Sequence, residues 1–106
     1  MCFGNIESTL DALVIALCLD YDRRRKAIED RCATKRTDTE YRYLNFKIYD
    51  AVAEIVGERY AEIYINEIGR KIGYAKSDDL TVSEVTYKKY KRLAKDNIAK
   101  KLHLTD

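Results

Sequence analysis

The chain is predicted to be all-α, a small helical bundle of about four helical segments whose last two are spaced like a helix-turn-helix. Three observations predict it. Proline is absent and only four glycines occur among 106 residues, so little along the chain interrupts a helix. Apolar residues recur at intervals of three and four, which places them on one side of a 3.6-residue repeat. Two Thr-x-x-Glu sequences, Thr37 with Glu40 and Thr81 with Glu84, have the form of capping boxes, in which hydroxyl and carboxylate satisfy free amides at a helix start.

The first helix is expected from about Ile6 to about Cys32. Leu10, Leu13, Val14, Leu17, Tyr21, Ile28 and Cys32 keep the spacing, and Asn5 or Ser8 is available as an N-cap. From Ala12 to Leu19 this helix is apolar nearly all round, which implies burial on more than one side, in the core or against a second copy; residues 10–21 are therefore a candidate homodimer seam. The Thr37 box opens a second helix carried by Leu44, Ile48, Val52, Ile55 and Val56 to Gly57. Tyr60, Tyr64, Ile68 and Ile72 resume the spacing to Gly73, either as one bent helix with the preceding stretch or as a separate one. The polar run Tyr74 to Thr81 reads as a loop, and the Thr81 box starts a last helix ending at about Leu102.

A chain of this length makes one domain, residues 1–106, with one modest core. With 36% charged and 46% apolar residues it is neither a disordered tail nor a membrane protein. The longest apolar run lies between Asp11 and Asp20, and its eight residues fall short of the roughly 20 that span a bilayer. No basic stretch precedes that run, so a signal peptide is not expected and the predicted location is cytoplasmic, without a membrane partner. Cys2, Cys18 and Cys32 are odd in number and widely spaced, which points to free thiols in a reducing compartment. The only histidine is His103, so a four-ligand zinc site has too few donors; neither metal nor cofactor is expected.

Charge is unevenly distributed. Residues 37 to 69 carry a net −4 and residues 82 to 104 a net +5, although the whole chain is only +2. The basic end contains Lys88, Lys89, Lys91, Arg92, Lys95, Lys100 and Lys101; a second basic cluster, Arg23, Arg24, Arg25 and Lys26, lies on the first helix. Localised positive charge is the footprint of a phosphate-binding surface, and equally of an ordinary solvated helix end.

A helix-turn-helix needs an apolar residue, a small one where its helices cross, another apolar three later, and a glycine opening the turn. Ile68, Gly69, Ile72 and Gly73 have that order, and Val82, Tyr87 and Tyr90 fit the apolar positions of the second helix. Ser83, Glu84, Thr86, Lys88, Lys89 and Arg92 are then left outward, suited to phosphates and base edges.

The stretch SEVTYKKYKRLAKDNIAKKL resembles the C-terminal end of phage and mobile-element transcriptional regulators of the ArpU and RinA type, whose Ser-Glu-x-Thr-Tyr start opens the second helix of a sigma-factor-like helix-turn-helix. The resemblance runs from Ile68 onward. It implies double-stranded DNA as partner and falls on Ser83, Glu84, Thr86, Tyr87, Lys88, Lys89 and Arg92, the last three as DNA contacts; Lys95, on the same basic helix, completes the candidate nucleic-acid-binding set with Ser83, Thr86, Lys88, Lys89 and Arg92. The loop is longer than the family's short turn by about eight residues, Tyr74 to Thr81.

Catalysis finds little support: no nucleophile with a base in evident reach, no glycine motif behind a strand, and no enzyme activity is expected. Asp50, Glu54, Glu58 and Glu62 recur every four residues and would align as an acidic stripe on one continuous helix. Tyr41, Tyr49, Tyr60 and Tyr64 fall near apolar stripes, whereas Tyr43 and Tyr74 are placed for exposure, as interface tyrosines often are. Two readings follow. One is a small DNA-binding regulator of a bacterial phage or mobile element. The other is a phage-type helical inhibitor or adaptor, anti-CRISPR-like, that binds a host protein or nucleoprotein enzyme through the acidic stripe and exposed tyrosines.

Overall fold

A computed structural model describes residues 5–30, 35–73 and 83–104. Cys2, Cys32, Tyr74, Thr81 and Val82 lie outside the described residues. The fold is an all-α bundle, and among the described residues there are five helices: α1 (Asn5–Leu19), α2 (Tyr21–Glu29), α3 (Lys35–Val56), α4 (Glu58–Gly69) and α5 (Glu84–Lys101).

The first expected helix is thus two. Asp20 bends the chain between α1 and α2, while the bonds from Asp20 N to Ala16 O and from Arg24 N to Asp20 O continue the helical ladder on either side. The Leu17 carbonyl accepts a hydrogen bond from the Arg24 guanidinium, and the Tyr21 carbonyl accepts one from Asn45 Nδ2 at 3.1 Å. Side chains entering the backbone ladder are a known cause of kinks, and here they compensate the carbonyls at the bend.

Both expected capping boxes are corrected. α3 begins at Lys35, so Thr37 lies inside its first turn, and Glu40 pairs with Arg36 at 3.5 Å. At α5 the cap is Ser83, whose Oγ accepts from Thr86 N at 3.2 Å. Gly57 separates α3 from α4. Its φ of 90° is a left-handed value that side chains disfavour, and with ψ of 154° it breaks the helical path and caps α4. The acidic row is broken with it: Asp50 and Glu54 belong to α3, Glu58 and Glu62 to α4.

α4 and α5 each pack against both α1 and α3, and α2 covers part of α3. The four longer helices therefore surround the core in the order α1, α4, α3, α5. α5 rests chiefly on α3 and meets α4 across the core. Val14, Ile48, Val52, Ile65, Ile68 and Ile98 are fully buried, each a side chain whose removal from water stabilises the fold by about 1.5 to 3 kcal/mol. Tyr64 fills the centre, its ring 5.8 Å from that of Tyr87 and 6.2 Å from that of Tyr90. Tyr64 thus joins α4 to the final helix, and the Tyr87 hydroxyl adds a bond to the Ile72 carbonyl. Gly69 does mark a crossing, but with α1: a Cβ there would lie 2.5 Å from Leu19 N and 2.6 Å from Leu19 Cα.

These two glycines and Gly73 should respond differently to alanine. Gly69→Ala meets rigid backbone and should lose about 1 to 3 kcal/mol or more. Gly57→Ala has open space around it but an unfavourable φ, and should lose about 1 to 2 kcal/mol. Gly73→Ala meets nothing within 4 Å and should stay within about 0.5 kcal/mol of the parent in urea denaturation.

Candidate nucleic-acid interface

The solvent side of α5 is built by its cap and by its buried side. Tyr87, Ala94, Ile98 and Ala99 face inward, so Glu84, Val85, Lys88, Lys89, Arg92, Asp96 and Lys100 are left exposed. The Ser83 hydroxyl also donates to Thr86 Oγ1 at 2.9 Å, so the Ser83 and Thr86 side chains bond to each other. Lys88 pairs with Glu84 at 3.1 Å, a solvated contact of small energetic value. Lys89, Arg92 and Lys100 make no ion pair among the described residues.

The other bases of α5 hold the bundle together. Lys95, expected with the outward set, reaches Asp11 of α1 at 2.8 Å and is 27% exposed. Lys101 bridges Asp50 at 3.2 Å and Glu54 at 2.7 Å on α3, and these hydrogen bonds raise its pKa. Lys91 donates to the Ile72 carbonyl at 2.7 Å and lies 5.1 Å from the centre of the Tyr87 ring; burial lowers its pKa, with Lys95 adding to the effect. The Tyr87 hydroxyl sits between the Ile72 carbonyl, at 3.0 Å, and the buried Glu67 carboxylate. This polar cluster fastens the end of α4 to the first turns of α5.

That junction adds a cation the sequence reading did not select. Lys71 is exposed beyond α4, in the left-handed region at φ 56°. The bonds from Lys71 N to Ile68 O and from Ile72 N to Glu67 O form a Schellman cap, whose C′ position usually holds glycine. The signal in the sequence was Gly-Arg-Lys-Ile-Gly, where the regular spacing carried the predicted helix on to Gly73. Lys71 thus lies at the junction of α4 with α5, and Lys88, Lys89 and Arg92 lie on the solvent side of α5.

The second basic cluster does not form a surface of its own. Arg24 is 3% exposed; it donates to Asn45 Oδ1 at 2.7 Å and to the Leu17 carbonyl, and its pKa is lowered by burial. Arg23 forks onto Asp20, whose pKa is lowered by that hydrogen bond, and stacks over Tyr41 at 5.5 Å. Arg25 pairs with Asp22 at 3.3 Å and Glu29 at 3.5 Å. Lys26 alone of the four is exposed without an ion pair among the described residues. The physical reason is local: Asp20, Asp22 and Glu29 stand one helical turn from the arginines they pair with.

A cleft of about 300 Å³ opens between the α1–α2 bend and α4, lined by Cys18, Tyr21, Asp22, Glu62, Glu67 and Arg70 among others. Burial pushes the Cys18 thiol up to about 12, against smaller opposing effects of Arg24 and Lys95, so it is neutral near pH 7 and a poor nucleophile. Among the described residues no group of three or more His, Cys, Asp or Glu side chains is arranged to hold a metal ion. No described helix is long and apolar enough to cross a membrane.

The fold and site define a small helical bundle with an outward basic helix. No family model, curated protein or solved structure matches the chain.

Removing Arg24 should expose the difference between buried and surface arginines. Arg24→Ala leaves the Asn45 amide and Leu17 carbonyl without their partner and should lose about 2 to 4 kcal/mol, whereas Arg23→Ala and Arg25→Ala should each lose under about 1 kcal/mol by thermal or urea unfolding.

Alkaline pH should unfold the protein through three buried acids. Burial pushes Cys18, Tyr21 and Tyr64 up to about 12 from ordinary values of 9.0, 10.0 and 10.0. As pH rises the unfolded chain releases these protons first, so the stabilisation they provide is whole below about pH 9, declines above it, and is lost past about pH 12. Urea midpoints measured from about pH 8 to 11 should fall. Tyr64→Phe should lessen the fall without loss at neutral pH, because the Tyr64 hydroxyl is buried with no hydrogen-bond partner among the described residues.

Proposed function

We propose that the chain is a small DNA-binding regulator of the phage and mobile-element kind that its last third resembles, with the solvent side of α5 laid on duplex DNA. The observation that carries this reading is the outward placement of Lys88, Lys89 and Arg92 on α5, with Lys89 and Arg92 in no ion pair among the described residues, together with the exposed Lys71 past α4. Such cations serve phosphates, and Ser83 and Thr86 serve as the cap that aims the helix rather than as base readers. Lys95 is removed from the contact set by its bond to Asp11. The basic cluster of α2 contributes Lys26 at most.

The rival reading, an adaptor or inhibitor acting on a host protein, draws support from different residues. Tyr43 and Phe46 stand 50% and 64% exposed on α3, and exposed aromatic side chains are common anchors of protein interfaces. The acidic row contributes less to it, because Gly57 divides the row and Lys101 engages Asp50 and Glu54.

Salt titration of DNA binding tests the first reading. Wild-type protein should be retained on duplex DNA at about 50 mM salt, and Lys89→Ala and Arg92→Ala should each lower the slope of log affinity against log salt by about one. Lys95→Ala should leave that slope unchanged. A wild-type protein without salt-dependent retention at about 50 mM salt would transfer the assignment to the adaptor reading, which predicts host-protein capture that survives nuclease treatment.

A further inference from the structure

We infer that Val85 reads thymine: with α5 laid in the major groove, its first turn brings this side chain against the methyl group of a thymine base. The inference rests on the DNA-binding reading proposed above and adds to it the residue that tells one base pair from another. Val85 is 79% exposed, more than any other large apolar side chain among the described residues. It belongs neither to the core nor to the side chains packed against the core. A branched apolar residue in water supports a helix less well than alanine would, so folding does not account for it.

The neighbours of Val85 on the helix surface select what it meets. At about 100° per residue, Arg92 falls about 20° from the line of Val85, while Lys88 and Lys89 fall about 60° to one side of it and about 40° to the other. All three cations are exposed, and Lys89 and Arg92 make no ion pair among the described residues. Glu84, about 100° round the helix from Val85, is engaged by Lys88. The valine thus stands at the leading end of a row whose cations straddle it and follow it for two turns. Asp96, one turn past Arg92 on the same row, is exposed and acidic, so the part of the row that suits a polyanion is confined to the first half of α5.

That half is the one a recognition helix sets into the major groove, with side chains of its first turn at the base edges and longer cations reaching the phosphates on either wall. The thymine methyl is the apolar group presented there, and it distinguishes A·T from G·C and T·A from A·T. Val85 has the matching chemistry, two methyl groups with no donor or acceptor. A protein partner suits this spot poorly, because one valine among like charges is not the large, fully desolvated anchor on which protein interfaces depend.

Two duplexes that differ only in that methyl test the inference: about 20 base pairs of alternating adenine and thymine, and the same duplex with deoxyuridine in place of thymidine. Thymine recurs in every register of the alternating duplex, so no target sequence has to be known. One methyl taken from water is worth about fourfold in affinity, and wild type should hold the thymine duplex tighter by about that factor at about 50 mM salt. Val85→Ser should hold both duplexes alike, with its salt slope and helix content unchanged. Lys89→Ala should lower the salt slope by about one and keep the preference for thymine. Equal or reversed affinity of wild type for the two duplexes, with salt-dependent retention intact, overturns the inference and leaves the DNA-binding reading standing. A preference that persists in Val85→Ser does the same, since it traces the difference to duplex shape. Retention of neither duplex overturns both.

Discussion

The close approach between the backbone of α1 and Gly69 of α4 is the constraint on which the other contacts depend. Any side chain at position 69 would overlap the backbone of Cys18 and Leu19. Because the helices touch there, Val14 and Cys18 of α1 and Ile65 and Ile68 of α4 enter the same core. The chain bends immediately past the contact, at Asp20, and α2 turns onto α3. A wider spacing would part those core side chains and open the cleft beside them, in an interior whose packing tolerates little added volume.

Buried polar groups then set angles that apolar packing alone leaves loose. Arg24 and Asn45 join the α1–α2 bend to α3 through Leu17 and Tyr21 carbonyls, and Tyr87 and Lys91 join α5 to the end of α4 through the Ile72 carbonyl. The Leu17 and Ile72 carbonyls that accept these bonds stand at a bend and past a helix end, where the regular ladder leaves acceptors free. Burying a guanidinium is costly and a saturated set of partners offsets that cost, so Arg24 acts more as an orienting joint than as a source of net stability. Asn97 Nδ2, which donates to the Ala51 carbonyl at 2.8 Å, makes a similar link between α5 and α3.

The helical class, the core positions Ile48 and Val52 of α3 and Tyr87 of α5, and the exposure of Tyr43 were legible because they depend on local periodicity. The bend at Asp20 was not, since the apolar spacing runs on through it and Arg24, which bonds the Leu17 carbonyl there, is held by Asn45, a residue distant in sequence. Gly69 was legible as a crossing point but not as to its partner: spacing along one helix says that something comes close, while the topology decides that it is α1. The cap of α5 was displaced by two residues because Ser83 and Thr81 both precede suitable partners, and the local pattern does not choose between hydroxyls. The basic residues were the least legible part of the candidate site. Lys91, Lys95 and Lys101 read alike with Lys88, Lys89 and Arg92 in sequence, and only the positions of Ile72, Asp11, Asp50 and Glu54 separate structural cations from free ones.

Lys71 carries this separation one step further. A left-handed residue at the end of α4 is required by the two Schellman bonds, and a lysine there costs on the order of 1 kcal/mol relative to glycine. His103 occupies the equivalent position after α5, at φ 58°, where bonds from His103 N to Lys100 O and Leu104 N to Ala99 O repeat the motif. Both caps therefore hold an exposed nitrogen-bearing side chain where the backbone would favour none. A cation beside the last carbonyls of a helix recovers part of that cost through the helix dipole, by about 0.3 to 1 kcal/mol. At Lys71 the dipole term and the strain are of similar size, so the lysine is nearly neutral for folding, and its charge adds to the basic edge formed with α5 at little expense in stability.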